Sequence, residues 1–302
     1  MVASVRHANH RSQVYDGLAT RGLSTERGHV HRPPIVLMGT VTKALSLLNH
    51  FGAARPEIGL SGFRALTGRD KATLHRHLSE LAACGFLQQD AATRAYRLGP
   101  AVLRLGGVRE ATFPARRAVR PIVDALSESL GELVHVSLLQ GDVMSPLYHR
   151  DARCHATRVS FDEAELLPLH ATASGLAMLA FGPEALLPGA LERDLERHTE
   201  RTTVDPDALR AAVDGVRETG IARVDQGYEI EVESLAVPAY DGTGEGAAAS
   251  VAVALPVSRA DDDSRARIAR ALAAAGEDVT RELGGRAPEA LLRRWRAIAS
   301  DP

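Results

Sequence analysis

Two cysteines in 302 residues, Cys84 and Cys154, are too few for a disulfide framework or a four-cysteine zinc site. They are expected to be unpaired thiols in a reducing compartment. The longest apolar runs, such as residues 246–257, fall well short of the roughly 20 residues a membrane-spanning helix needs. Nothing near Met1 has the basic-then-apolar build of a signal peptide, so a cytoplasmic location is expected. What remains is a chain that is 45% hydrophobic, long enough for two ordinary domains with separate cores.

The net charge of −2 excludes little, but its distribution is uneven. Residues 1–37 carry +3, residues 38–99 carry +4 and residues 100–120 carry +4, whereas residues 121–302 carry −13. Basic residues 1–120 followed by an acidic remainder predict that the N-terminal part meets a polyanion.

Residues 1–37 are rich in Arg, His, Ser and Gly, lack an apolar period and end near Arg32-Pro33-Pro34. They are expected to form a disordered basic arm that touches DNA, or a gene-model extension with Met38 as the true start. Residues 41–51 place Val41, Ala44, Leu45, Leu47, Leu48 and Phe51 at helical spacing. A second helix is predicted over 60–67 with Leu60, Phe63 and Leu66 on one face, and Gly68 makes a turn. Asp70 is placed to cap a third helix whose buried stripe is Leu74, Leu78 and Leu81, with Lys71, Thr73, His75, Arg76 and Ser79 opposite. Gly85 stops that helix, and residues 86–87 and 96–98 read as strands of a hairpin with a polar tip at 90–94. Three short helices and a hairpin make a winged helix-turn-helix, whose third helix fits the major groove of B-DNA. The DNA-facing set is Lys71, Thr73, His75 and Arg76, with Lys43 on the first helix and Arg94 and Arg97 in the hairpin.

Across 41–99 the runs Val41-Thr-Lys-Ala-Leu, Leu60-Ser-Gly-Phe-Arg-Ala-Leu-Thr-Gly68, Lys71-Ala-Thr-Leu-His-Arg-His-Leu78, Gly85-Phe-Leu and Tyr96-Arg-Leu-Gly99 resemble the N-terminal domain of the IclR family of transcription regulators. Three positions depart from the family pattern: Gly62 inside the second helix, at a propensity cost of about 1 kcal/mol, Arg69 in the turn, and His77 at an apolar position of the third helix.

The second half is predicted to be an α+β, GAF-like sensor domain over 101–286, reached through a linker helix. Val102, Leu103, Leu105 and Val108 give that linker an apolar face, and a further helix spans 114–130. Strands are expected over 133–139, 143–148, 221–224, 234–240 and 247–255, with Gly141-Asp142 as a hairpin turn. Helices are expected over 171–180, 184–198, 206–219 and 261–283, and residues 287–302 are expected to be a tail. The stretches Leu169-His-Ala-Thr-Ala-Ser-Gly-Leu-Ala-Met-Leu-Ala180, Gly220-Ile-Ala, Gly227-Tyr and Ser234-Leu-Ala-Val-Pro238 resemble the IclR effector domain.

That resemblance implies a small-molecule pocket in which an organic acid is held by backbone amides and hydroxyls. Carried over by position, its residues are Ala173, Ser174 and Gly175 at a helix start, Ser234 on one strand, and Ala252 and Ala254 on another, with Glu231 from the acidic loop. A helix N-terminus attracts a carboxylate without a lysine. Ala252 and Ala254 stand where family members often carry Ser, and the loop holding Glu229, Glu231 and Glu233 is shorter than usual. The pocket is therefore expected to be more apolar, or larger, than one for a very small oxoacid.

His135, His149, Cys154, His155 and His170 are possible zinc-ligand types, but none has the tight spacing of a strong zinc motif, so no metal is expected. Ser174 lacks the Gly-x-Ser-x-Gly elbow of a nucleophile, and neither cofactor nor enzymatic activity is expected. The function these features imply is sequence-specific binding of double-stranded DNA, most often as a repressor, modulated by a small organic or aromatic acid. A homodimer follows from docking geometry, and a dimer of dimers from the resemblance. Competing alternatives are a DNA-binding protein with an empty C-terminal domain and an enzyme tethered to DNA.

Overall fold

The computed structural model describes residues 39–300. The N-terminal arm over 1–37 and the start at Met38 lie outside them. Helix α1 covers Thr40–Leu45, one and a half turns, and a short 3-10 turn follows at Leu48–His50. The single helix expected over 41–51 is thus broken, and its apolar residues do not share one buried face. Leu47 and Phe51 are buried in the small core with Phe63, while Val41 and Leu45 face outward.

Helix α2 (Leu60–Thr67) ends at Gly68, whose φ of 65° is left-handed backbone that glycine adopts without strain. Gly62 has a packing reason, since a Cβ there would lie 3.1 Å from Ile58 Cγ2. Helix α3 (Lys71–Ala83) begins where Asp70 accepts a hydrogen bond from the Thr73 amide at 2.9 Å. Leu74, Leu78 and Leu81 are buried as the period requires, and so is His77. Strands β1 (Leu87–Gln89) and β2 (Tyr96–Leu98) pair antiparallel as the wing, and Ile58 bridges to Tyr96.

Helix α4 (Pro100–Thr112) leads away from the wing. Only Ala101 on it is buried, so among the described residues little covers the linker's apolar face. Helix α5 (Ala115–Leu130) opens the second domain. Its six-stranded antiparallel sheet has the order β5-β4-β3-β8-β7-β6. The strands are β3 (Leu133–Gln140), β4 (Val143–Arg150), β5 (Leu167–Pro168), β6 (Ala222–Asp225), β7 (Val232–Tyr240) and β8 (Ala247–Pro256). Between β5 and β6 come α6 (Ala173–Phe181), α7 (Leu186–Leu191) and α8 (Pro206–Thr219), and after β8 come α9 (Asp262–Glu282) and α10 (Glu289–Ser300).

Alternation along β7 sorts the layers. Glu233 and Val237 point to α9, where Glu233 meets Arg265 and Val237 packs by Gly276. Ser234 and Ala236 point to the opposite face, against which α6 lies.

Two expectations change here. Of the helix predicted over 184–198, only α7 forms. Pro188 and Gly189 sit inside it, and beyond it the Thr202 hydroxyl takes the amides of His198 and Thr199. Residues 287–302, expected to be a tail, instead contain α10. Its Leu291 and Trp295 are buried, and the Trp295 indole donates to the Gly220 carbonyl at 3.0 Å.

Candidate functional site

The exposed face of α3 carries Lys71, His75 and Arg76, none of which has a hydrogen-bond or ion-pair partner among the described residues. Thr73 beside them is half-buried, with its amide engaged by the cap. Arg94 lies at the wing tip with a left-handed φ of 60°, and Arg97 stands on β2 at 4.0 Å from Glu57, too long for a tight pair. Lys43 projects from α1, and its carbonyl accepts from Arg69 at 2.6 Å. A second Arg69 bond, to Ser46 Oγ at 3.2 Å, explains that residue's departure from the family pattern: it ties α1 to the turn before α3. A free guanidinium, an ammonium and an imidazole on one groove-sized helix can donate to base edges and phosphates.

In the second domain a cavity of about 70 Å³ lies between α6, the sheet and a roof drawn from the loop between β4 and β5. Of the residues carried over from the resemblance, Ala173, Ser174, Ser234 and Ala254 line it. Ser174 is 2% exposed and its hydroxyl has no partner among the described residues. Thr172 caps α6 by accepting from the Gly175 amide at 3.0 Å, so that amide is already used, while no bond is formed by the amides of Ala173 and Ser174 among the described residues. Gly175 is fixed by sterics instead: a Cβ there would lie 2.3 Å from the Leu169 backbone.

Ala252 shares the sheet face of Ala254 but lies one rung beyond the cavity wall. Glu231 is exposed at a tight turn with a φ of 64° and does not line the cavity; Glu229 does. Glu233 points to the other face, fully buried, with both carboxylate oxygens held by Arg223 and Arg265 at 2.8 to 3.0 Å. Of the two expected pocket characters, the small volume favours apolar over large: Leu133, Leu167, Val224 and Val232 form much of the wall.

Several lining residues were not singled out for the pocket in the sequence. His135, noted there as a metal-ligand type, looks into the cavity from β3, with its Nδ1 3.1 Å from Ser137 Oγ. Burial, reinforced by nearby His149, pushes its pKa down to about 4, so the ring is neutral. Phe161 comes from the roof and stacks on both His135 and His149, with centroids 4.7 and 5.0 Å away. Tyr228 closes one side by donating its phenol to Glu165, and burial holds its pKa above the ordinary value. The alternation of β3 could have signalled His135, since Leu133 and His135 must share a face. The roof loop has no period that would mark its members.

The roof also approaches the first domain. A Cβ on Gly52 would lie 3.5 Å from Ala164 Cβ and 3.7 Å from Asp162 Oδ2.

A winged helix-turn-helix with an unpaired polar reading helix, joined through a linker helix to an α/β domain with a partly polar cavity, defines a DNA-binding regulator with an appended sensor fold. Comparison with known proteins narrows the class. Residues 40–91 match the IclR helix-turn-helix domain and residues 112–281 match the bacterial transcriptional regulator IclR C-terminal domain. The chain belongs to the IclR family of transcriptional regulators.

It is 32% identical to the glycerol operon regulatory protein of Streptomyces coelicolor over 67% of this chain and 79% of that protein. An IclR transcriptional regulator from Silicibacter sp. TM1040 superposes with a TM-score of 0.75 at 44% identity, covering 83% of this chain and 98% of that one. An IclR homolog from Microbacterium hydrocarbonoxydans, solved with 4-hydroxybenzoate, shares the fold with a TM-score of 0.64 at 20% identity, covering 81% of this chain and 99% of that one. Among the described residues no helix is long and apolar enough to cross a membrane.

Proposed function

We propose that the protein is a repressor that binds operator DNA as a symmetric dimer through α3 and the wing, and that a small organic acid, aromatic or branched, held at the start of α6 sets its operator affinity. The observation that carries the ligand assignment is Ser174. An unpaired hydroxyl sealed in a cavity beside two unused helix amides costs stability until an acceptor fills it. A carboxylate supplies such acceptors, and the helix dipole favours its charge. The 4-hydroxybenzoate bound by the Microbacterium homolog lends support to an acid as the ligand class.

Dimerisation draws support from surfaces left open among the described residues. Leu103 (82% exposed), Leu105 and Val108 on α4, Leu98 beside it, and Val41 and Leu45 on α1 are large apolar side chains in water. A second copy would bury them and set two reading helices at the spacing of successive half-sites.

The roof gives the ligand a route to the DNA-binding domain, because Asp162, which lines the cavity, also lies beside Gly52. A ligand that reshapes the roof shifts that contact, and its differential affinity for the two arrangements sets the size of the response.

Thermal shift with aromatic and branched carboxylates tests the reading. An acid that binds the native state raises the melting temperature, and Ser174→Trp should abolish that rise while leaving DNA affinity intact. An acid that stabilises the Ser174→Trp protein as strongly as the parent would place the ligand elsewhere.

A further inference from the structure

Resting on that reading of the cavity, a second property of its ligand follows from where charge is and is not placed. No arginine or lysine lines the cavity, and the charged side chains along it are Asp162, Glu165 and Glu229, all carboxylates at the exposed mouth. His135 adds no positive charge, because burial keeps it neutral. Asp162 accepts the Ala164 amide and Glu165 the Tyr228 phenol, but neither meets a cation among the described residues. Glu163, between them on the same loop, differs: it is held by Arg116 at 3.1 Å and faces His149 at 3.2 Å. The roof thus pairs its outward carboxylate and leaves two cavity-side carboxylates without a counter-charge.

The inner end is opposite in character. There the N-terminus of α6 presents the amides of Ala173 and Ser174 and the buried, unpartnered Ser174 hydroxyl. A plain anion would gain at this end and be repelled at the mouth. A ligand with charge of both signs would gain at each.

We propose that the cavity takes a small amphoteric acid, with its carboxylate at Ala173 and Ser174, its apolar body against Leu133, Leu167 and Val232, and its ammonium at Asp162 and Glu165.

The experiment is a matched-pair thermal shift and calorimetric titration on the full chain. β-Alanine, 4-aminobutanoate and 5-aminopentanoate are compared with propanoate, butanoate and pentanoate, which differ from them only in the terminal ammonium. At least one amino acid should raise the melting temperature and bind about tenfold or more tightly than its partner acid. Asp162→Asn with Glu165→Gln should erase that preference, weakening the amino acid and leaving the plain acid bound as tightly as before or more tightly. If the plain acids bind as well as or better than the amino acids, and Ser174→Trp abolishes their effect, the amphoteric ligand is wrong and the carboxylate site stands. If neither series shifts the parent protein, both fail for small acids. The comparison on the parent protein decides the matter even if the double variant does not fold.

Discussion

Ser174 and His135 meet the same cavity from a helix and from a strand, and each stores a cost that can be measured. For His135 the cost depends on pH. Its folded pKa is about 4, while an unfolded histidine titrates near 6.5. Above about pH 6.5 both states are neutral and the residue contributes no penalty. As pH falls from about 6.5 toward 4, the unfolded chain binds a proton that the native cavity refuses, so stability is lost at up to about 1.4 kcal/mol per pH unit. His135→Gln should remove that component, making the variant less acid-sensitive than the parent across this window in urea melts. Equal slopes would mean that the ring is not buried as described. His77 has a different cost: both ring nitrogens are buried in the DNA-binding core without a partner among the described residues, a penalty of about 1 to 3 kcal/mol. Glu233, also fully buried, avoids this. Burial alone would raise its pKa, but Arg265 and Arg223 outweigh that and hold it below the usual carboxylate range.

At the level of elements, legibility followed local signals. The bounds of α2, β2 and α8 could be read from the sequence, because a glycine or aspartate marks an end and the apolar period runs unbroken between. The break after α1 was hidden, since Val41 and Leu45 sit at helical spacing yet face solvent. Periodicity cannot tell an apolar stripe that faces this chain's core from one that faces outward. The start of α6 was legible through the resemblance, which also quoted Tyr228 without a pocket role, whereas Phe161 and Glu165 were not singled out, because roof residues come together only in three dimensions. Helix α10 was missed although Leu291, Trp295 and Ile298 lie at helical spacing. What makes it dock is remote in sequence: Gly276, where a Cβ would come within 2.9 Å of the Trp295 ring, and the Gly220 carbonyl. Trp295→Ala should therefore destabilise the second domain by about 3 to 5 kcal/mol, seen as a lower urea midpoint at unchanged slope. A change under about 0.5 kcal/mol would return α10 to the status of a tail.

For the whole molecule, the basic first 120 residues and acidic remainder suit a protein whose two ends meet different partners. The apolar faces of α1 and α4 belong to this scale, because the proposed second copy would bury them. Leu103→Glu should convert the dimer to monomers in sedimentation equilibrium and weaken operator binding, with little effect on the melting of either core. A dimer that persists would place the interface elsewhere. The most direct test of the account is anisotropy on full-length protein, using a duplex selected by the parent from random sequence and an unselected duplex of equal length. If α3 reads the groove, Arg76→Ala should lose about 1 to 3 kcal/mol on the selected duplex and little on the unselected one, while Lys71→Ala should weaken both alike and lower the salt slope by about one unit. Folded Arg76→Ala and Lys71→Ala proteins that bind the selected duplex as the parent does would contradict it.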